Sequence, residues 1–275
     1  MRCRVSAMAL VYALVGLLGL PAALAAPNPA KLQLQSSSAL VMDVNTGKTL
    51  YQKNATRVRP IASITKLMTA LVVLDARQDL KQTLTIDQND RDAIKHTYSR
   101  VRMGTKVTRR DALHLALMSS ENRMASALAR HYPGGRPAFV RAMNNKAKQL
   151  GMRNSRFYDS TGLSTRNVST AQDLARLISA AYRQPLIREF TQDTNKEMRF
   201  STPAYSLMFN NTNPLVKNPD WDVRLSKTGY TDEAGRCLLM RAKPDRQELA
   251  IVLLNSVGKR TPIGDANRIR KWLKS

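Results

Sequence analysis

Ser63-Ile64-Thr65-Lys66 sets a hydroxyl and an amine three residues apart. On a helix, residues at that spacing share one face, about a turn from each other. The serine becomes a nucleophile if the lysine takes its proton. That requires an amine neutral near pH 7, through burial or a neighbouring cation. Leu67, Met68, Leu71, Val72 and Leu74 recur at helical spacing, so a buried, apolar helix is predicted from Ser63 to about Arg77. A serine at its start meets N–H dipoles that favour developing negative charge. A second copy of the pattern, Ser256-Val257-Gly258-Lys259, follows a strand, contains glycine and precedes Pro262; it reads as accidental.

Two more tripeptides carry suitable groups. Ser120-Glu121-Asn122 lies amid apolar helical residues, where a polar Ser-x-Asn marks a buried loop or helix end facing a cleft; plain helix capping would use the same residues. Lys227-Thr228-Gly229 falls on an expected strand. Its lysine can bind a carboxylate and depress the pKa of a second lysine. Thr228 can donate a hydrogen bond to the same carboxylate, and Gly229 lets a substrate backbone approach the strand.

The elements that must position these groups follow from periodicity. Residues 37–43 and 48–53 form a predicted hairpin about Asn45-Thr46-Gly47. Helices are expected over 110–131, over 136–151 with a stop at Gly151, and over 171–183, opened by Ser169 or Thr170 and ended near Pro185. Strands follow at 223–228, 236–242 and 248–255, then a helix at 262–274. Strands at both ends with helices between them imply one sheet built from both chain ends and an inserted helical region.

Composition narrows the setting. Arg2 and Arg4, an apolar run from Ala7 to Leu20, Pro21 and Ala23-Leu24-Ala25 read as a signal peptide over 1–25, cleaved after Ala25 or Ala26. The uninterrupted apolar run is short for a membrane span, which needs about 20 residues. Residues 26–275 are then one catalytic domain. Loss of Arg2 and Arg4 lowers the +24 formal charge to +22. That charge attracts polyanions; an exported protein seldom meets nucleic acid, so an anionic envelope polymer or a membrane surface is the expected partner. Cys3 departs with the leader, and Cys237 in its apolar run reads as a core filler. His96, His114 and His131 share no ligand-like spacing, so no metal or other cofactor is expected.

Taken in order, Ser-x-x-Lys, Ser-x-Asn and Lys-Thr-Gly resemble the active-site set of the penicillin-binding proteins and serine β-lactamases, with intervals similar to those of the low-molecular-mass DD-peptidases. The resemblance runs from about residue 36 to 272. It includes an opening hairpin at Ala39–Tyr51, Phe157-Tyr158-Asp159-Ser160-Thr161-Gly162-Leu163-Ser164, and Ser169-Thr170-Ala171-Gln172-Asp173-Leu174-Ala175. Ser119-Ser120-Glu121-Asn122-Arg123, with no added β-domain or amphipathic anchor, looks most like the small DD-endopeptidases.

That likeness implies an α/β (α+β) fold of the β-lactamase/DD-peptidase type, its antiparallel sheet flanked by helices. It implies that Ser63 is the nucleophile, Lys66 its base and Ser120 a proton relay to the leaving amine. Asn122 would hold the substrate amide and orient Lys66; Lys227 and Thr228 would bind the carboxylate beside the scissile bond, with Gly229 on the same strand. The N–H groups of Ser63 and Tyr230 would form the oxyanion hole. The expected substrate is a D-Ala–diaminopimelate crosslink of peptidoglycan, in the periplasm, with at most peripheral membrane association and with β-lactams as covalent inhibitors. A D-alanyl-D-alanine carboxypeptidase is the near alternative, and a non-enzymatic wall-binding protein the distant one. A class A β-lactamase would add a Glu-x-x-Leu-Asn segment, which the sequence lacks.

Overall fold

β1 (Ser38–Asp43) and β2 (Thr49–Lys53) form the predicted hairpin. Asp43 Oδ1 accepts the Thr46 N–H at 2.7 Å, and Gly47 takes the left-handed conformation (φ 71°) that closes the turn. These features come from a computed structural model that describes residues 28–245 and 247–275. The expected signal peptide over 1–25 lies outside the described residues.

β3 (Arg59–Pro60) leads into a 3₁₀ turn at Ala62–Ile64 and then α1 (Thr65–Asp75). β4 (Thr83–Thr85) and β5 (Lys106–Thr108) make a small ribbon. Thr108 caps α2 (Arg109–Met118) by accepting the Asp111 N–H at 3.0 Å. α3 (Asn122–Arg130) and α4 (Gly135–Gln149) follow, with Gly151 just past the end of α4 at φ 70°. β6 (Val168–Ser169) pairs with β3, and Thr170 caps α5 (Ala171–Tyr182).

Three features depart from the sequence expectations. The helix expected over 110–131 is two helices, broken at Ser119–Glu121, which agrees with the alternative expectation of a loop or helix end facing a cleft at Ser120–Asn122. Ser119 Oγ bonds back to the Leu115 carbonyl (2.8 Å), Ser120 takes φ 62°, and the Glu121 carboxylate accepts the Arg123 N–H (3.2 Å) to cap α3. Pro185 opens another helix, α6 (Pro185–Gln192), as a first-turn proline can. Between α6 and the last strands lies an unanticipated hairpin, β7 (Asn195–Ser201) and β8 (Ala204–Asn210).

β9 (Val223–Thr231), β10 (Gly235–Ala242) and β11 (Leu249–Ser256) complete an antiparallel sheet ordered β2-β1-β11-β10-β9. The two chain ends meet where β1 pairs β11, Leu40 opposite Val252. The sheet is covered on both faces. Leu239, Val252 and Leu254 pack toward the helical region, while Leu238, Ile251 and Leu253 pack against Ala266, Ile269 and Trp272 of α7 (Thr261–Trp272). Strict alternation to two apolar faces explains why β10 and β11 read as continuous apolar runs. The fold is the expected one: mixed α and β, one antiparallel sheet from both ends, helices inserted between. No helix among the described residues is long and apolar enough to cross a membrane.

Candidate active site

The turn ahead of α1 presents Ser63. Ala62 is left-handed (φ 44°), a conformation that costs an L-residue roughly 1–2 kcal/mol. It persists because two glycines press on the turn. A Cβ on Gly162, itself at φ 86°, would lie 2.0 Å from the Ala62 carbonyl oxygen. A Cβ on Gly229 would lie 3.0 Å from both Ile61 O and Ser63 N. Ser63 thus sits in the 3₁₀ turn and α1 proper starts at Thr65. The three-residue spacing still delivers the pair: Lys66 Nζ is 2.8 Å from Ser63 Oγ.

Lys66 is 0% exposed. Its Nζ also donates to Asn122 Oδ1 (2.7 Å) and to the Thr161 carbonyl (2.8 Å). Burial drives its pKa down to about 7, against the opposing pull of Asp159, Glu121 and Asp92. The expected help from a neighbouring cation appears on the other lysine: Lys227 is pushed well below its ordinary value by burial first and by Lys66 second. At pH 7 the amine of Lys66 is neutral in a large fraction of molecules. A neutral amine has two N–H donors and one lone pair. Asn122 and Thr161 take the donors, so the lone pair is left for the Ser63 hydroxyl.

Lys227 Nζ donates to Ser120 Oγ (2.9 Å) and to the carbonyl of Thr228 (2.8 Å). The break between α2 and α3 is what turns Ser120 toward β9. The Thr228 carbonyl therefore faces the free edge of this outermost strand. Residues two apart on a strand point their backbone groups the same way, so the Tyr230 N–H faces that edge too. Thr228 Oγ1 donates to Thr212 Oγ1 at 2.6 Å.

All eight singled-out residues, Ser63, Lys66, Ser120, Asn122, Lys227, Thr228, Gly229 and Tyr230, converge here. Ser63, Ser120, Asn122, Thr228, Gly229 and Tyr230 line one cleft of about 530 Å³. Arg236, Lys259 and Arg260 make its far wall basic. Lys259 belongs to the second Ser-x-x-Lys, whose Ser256 is engaged with Ser36 Oγ at 2.8 Å. A smaller cavity of about 220 Å³, lined in part by Asp92, Ile94, Tyr158 and Leu163, meets the site at Asn122 and Thr161. Cys237 backs the cleft, buried, with its thiol pushed up to about 11 by burial, so it stays protonated.

The segment 157–164, part of the family resemblance but without an assigned role in the sequence, also shapes the site. Asp159 accepts the N–H of Thr161 (2.6 Å), Gly162 (2.7 Å) and Ser164 (2.9 Å), and so shapes the loop that turns the Thr161 carbonyl onto Lys66. Asn167, fully buried, ties this loop to Thr65 Oγ1 at 3.1 Å. An Asx-turn pattern, Asp-x-Thr-Gly, was the available signal.

Comparison with known proteins identifies the family. A family model described as D-alanyl-D-alanine carboxypeptidase (peptidase S11) matches residues 23–258. The chain is 50% identical to a D-alanyl-D-alanine endopeptidase of Pseudomonas aeruginosa, covering 90% of this chain and 80% of that protein. It is 48% identical to one of Escherichia coli K12, covering 91% and 81%. Proteins named D-alanyl-D-alanine carboxypeptidase also match, at 30% identity in Bacillus subtilis and 27% in Escherichia coli. Among solved structures, the Streptomyces K15 DD-transpeptidase superposes with a TM-score of 0.81 at 28% identity, covering 88% of this chain and 98% of that one. The chain is a serine DD-peptidase and belongs to the D-alanyl-D-alanine carboxypeptidase family, peptidase S11.

Proposed function

We propose that this serine DD-peptidase hydrolyses D-Ala–diaminopimelate crosslinks of peptidoglycan through an acyl-enzyme on Ser63. The observation that carries the reading is Lys66: buried, poised at about 7, and held 2.8 Å from Ser63 Oγ with its other partners fixed. Ser63 gives its proton to Lys66 Nζ as its Oγ attacks the D-Ala carbonyl. The N–H groups of Ser63 and Tyr230 receive the oxyanion, where one such donor is worth roughly 3–4 kcal/mol.

Lys227 donates to Ser120 Oγ, which leaves the Ser120 proton free to pass to the leaving amine as Lys66 surrenders the one it took. The C–N bond breaks, and water later attacks the ester with Lys66 again as base. Lys227 and Thr228 hold the carboxylate next to the cut bond. An arriving carboxylate favours the charged form of Lys227, and the repulsion this creates keeps Lys66 neutral.

The endopeptidase reading, over carboxypeptidase action, is supported by the higher identity to proteins named endopeptidases. The setting proposed is the periplasm, with export by residues 1–25 and one catalytic domain over 26–275. The test is digestion of purified crosslinked dimer and of monomeric pentapeptide at equal concentration, with products read by mass. A larger kcat/KM on the dimer is expected. A larger value on the pentapeptide makes the protein a carboxypeptidase, and the absence of cleavage together with normal wall binding by Ser63→Ala makes it a binding protein.

A further inference from the structure

Two segments adjoin the cleft through residues that line it, Asn122 and Tyr230. One is the segment 91–100, joined to the catalytic centre where Asn122 Nδ2 donates to Thr97 Oγ1 at 3.0 Å. The other is the β9–β10 turn, Asp232-Glu233-Ala234, which begins two residues after Tyr230. Lys95 Nζ on the first segment pairs with the Glu233 carboxylate on the second. The ion pair links segments 138 residues apart in sequence, one bonded to Asn122 and the other following Tyr230, both of which line the cleft. The geometry points to a strap: Lys95 and Glu233 close the cleft on this side and set how large a substrate enters it.

The segment is built to move as one piece. No residue from 91 to 100 is buried, so no apolar core holds it down. Its inner part is nonetheless pre-folded. Asp92 accepts the N–H of Ile94 (2.8 Å), Lys95 (3.0 Å) and Thr97 (2.8 Å), and the Thr97 hydroxyl (2.7 Å). Its ties to the rest of the protein include the Thr97–Asn122 bond, the Lys95–Glu233 pair and Arg100 donating to the Met208 carbonyl at 2.6 Å. Release of the ion pair leaves the segment tied at Thr97 and Arg100 and its Asp92-centred fold intact, and frees Lys95 to move away from the opposite turn. The opposite turn is stiffer, because Tyr230 OH donates to Asp232 Oδ1 (2.7 Å) and the Arg236 guanidinium lies 4.2 Å from the Tyr230 ring centre.

The pair is partly exposed, with side-chain exposures of 28% for Lys95 and 42% for Glu233. Exposed pairs are weak, which suits a closure that opens on each turnover. A small acylating molecule passes beneath the strap. A crosslinked stem peptide, with chain continuing beyond the scissile D-Ala, has to displace it. Lys95 and Glu233 therefore determine specificity by substrate size and take no part in the bond-making step. The inference rests on the DD-peptidase reading of Ser63.

The test compares wild type, Glu233→Gln, Lys95→Ala and the charge-swapped pair Lys95→Glu with Glu233→Lys, at one fixed ionic strength. Two rates are measured: acylation by benzylpenicillin, read by intact mass, and kcat/KM on crosslinked muropeptide. Each single variant is expected to raise kcat/KM on muropeptide by about two- to fivefold, the range an exposed pair can hold back. Penicillin acylation should stay within about twofold of wild type, and the swapped pair should return muropeptide turnover toward wild type. Equal changes on both substrates, unchanged or lower muropeptide turnover in the single variants, or no restoration by the swap would overturn the strap. Failure of wild type to be acylated at Ser63 would instead overturn the underlying function.

Discussion

A lysine that takes a proton from Ser63 must not already carry one, and Lys66 meets that condition through burial. Its folded pKa of about 7 lies below the ordinary 10.5. The reactive neutral form therefore dominates above about pH 7 and is lost below it. Benzylpenicillin acylation should be level from about pH 8 upward and fall about tenfold per unit well below 7. A flat profile between pH 5 and 8 would remove Lys66 from the role of base. Lys66→Arg keeps a cation at the site but cannot release a proton at working pH, so acylation should drop by about 10³-fold or more. Near-normal acylation in that variant would move attention to Ser120. The adduct itself should persist, since among the described residues no carboxylate is bonded to Ser63 or Lys66 to activate a deacylating water. Intact mass should show one long-lived penicilloyl group, and its rapid loss would point to β-lactamase action.

At the scale of elements, the turn Ala62–Ile64 is held in an unfavourable conformation by its neighbours. Gly162→Ala would combine a left-handed alanine with a Cβ driven into the Ala62 carbonyl. A stability loss of about 2–4 kcal/mol is expected, together with slowed acylation, because the turn that aims Ser63 must shift. Thermal unfolding and penicillin acylation measure the two effects; wild-type values in both would show that Gly162 does not brace the turn. This bracing was not legible in the sequence. Ser63 and Lys66 were, because helical periodicity carries their relation within four residues. Lys227-Thr228-Gly229 was recognisable as a motif on a strand. The Thr161 carbonyl, by contrast, reaches Lys66 only through a loop whose path is set by Asp159 and Asn167, and backbone acceptors leave no mark in residue type. The break at Ser119–Glu121 is marked only by the polar Ser-x-Asn, because the apolar positions on either side stay nearly in phase. The β7–β8 hairpin escaped because its strands bury few residues, Met198, Phe200 and Phe209 among mostly exposed neighbours, so the two-residue period is faint.

Across the whole molecule, 44 lysines and arginines face 20 acidic residues. Even complete pairing would leave a net charge of +24 uncompensated, so the protein carries a long-range positive field. The cleft shares in it through Arg236, Lys259 and Arg260. A crosslinked wall polymer presents many peptide carboxylates to this field at once, while benzylpenicillin presents one. Salt shortens the reach of such attraction from about 8 Å at physiological ionic strength to about 3 Å at 1 M. Raising salt from about 50 to 500 mM should therefore lower the rate of digestion of intact crosslinked wall by about tenfold or more, and penicillin acylation by about twofold at most. The contrast separates field from chemistry, because in the proposed mechanism both reactions use the same Ser63 and Lys66. If both rates fall in parallel, salt is acting on the catalytic pair itself. If neither falls, the surplus charge serves only to solvate the surface, and attraction to the wall needs another source.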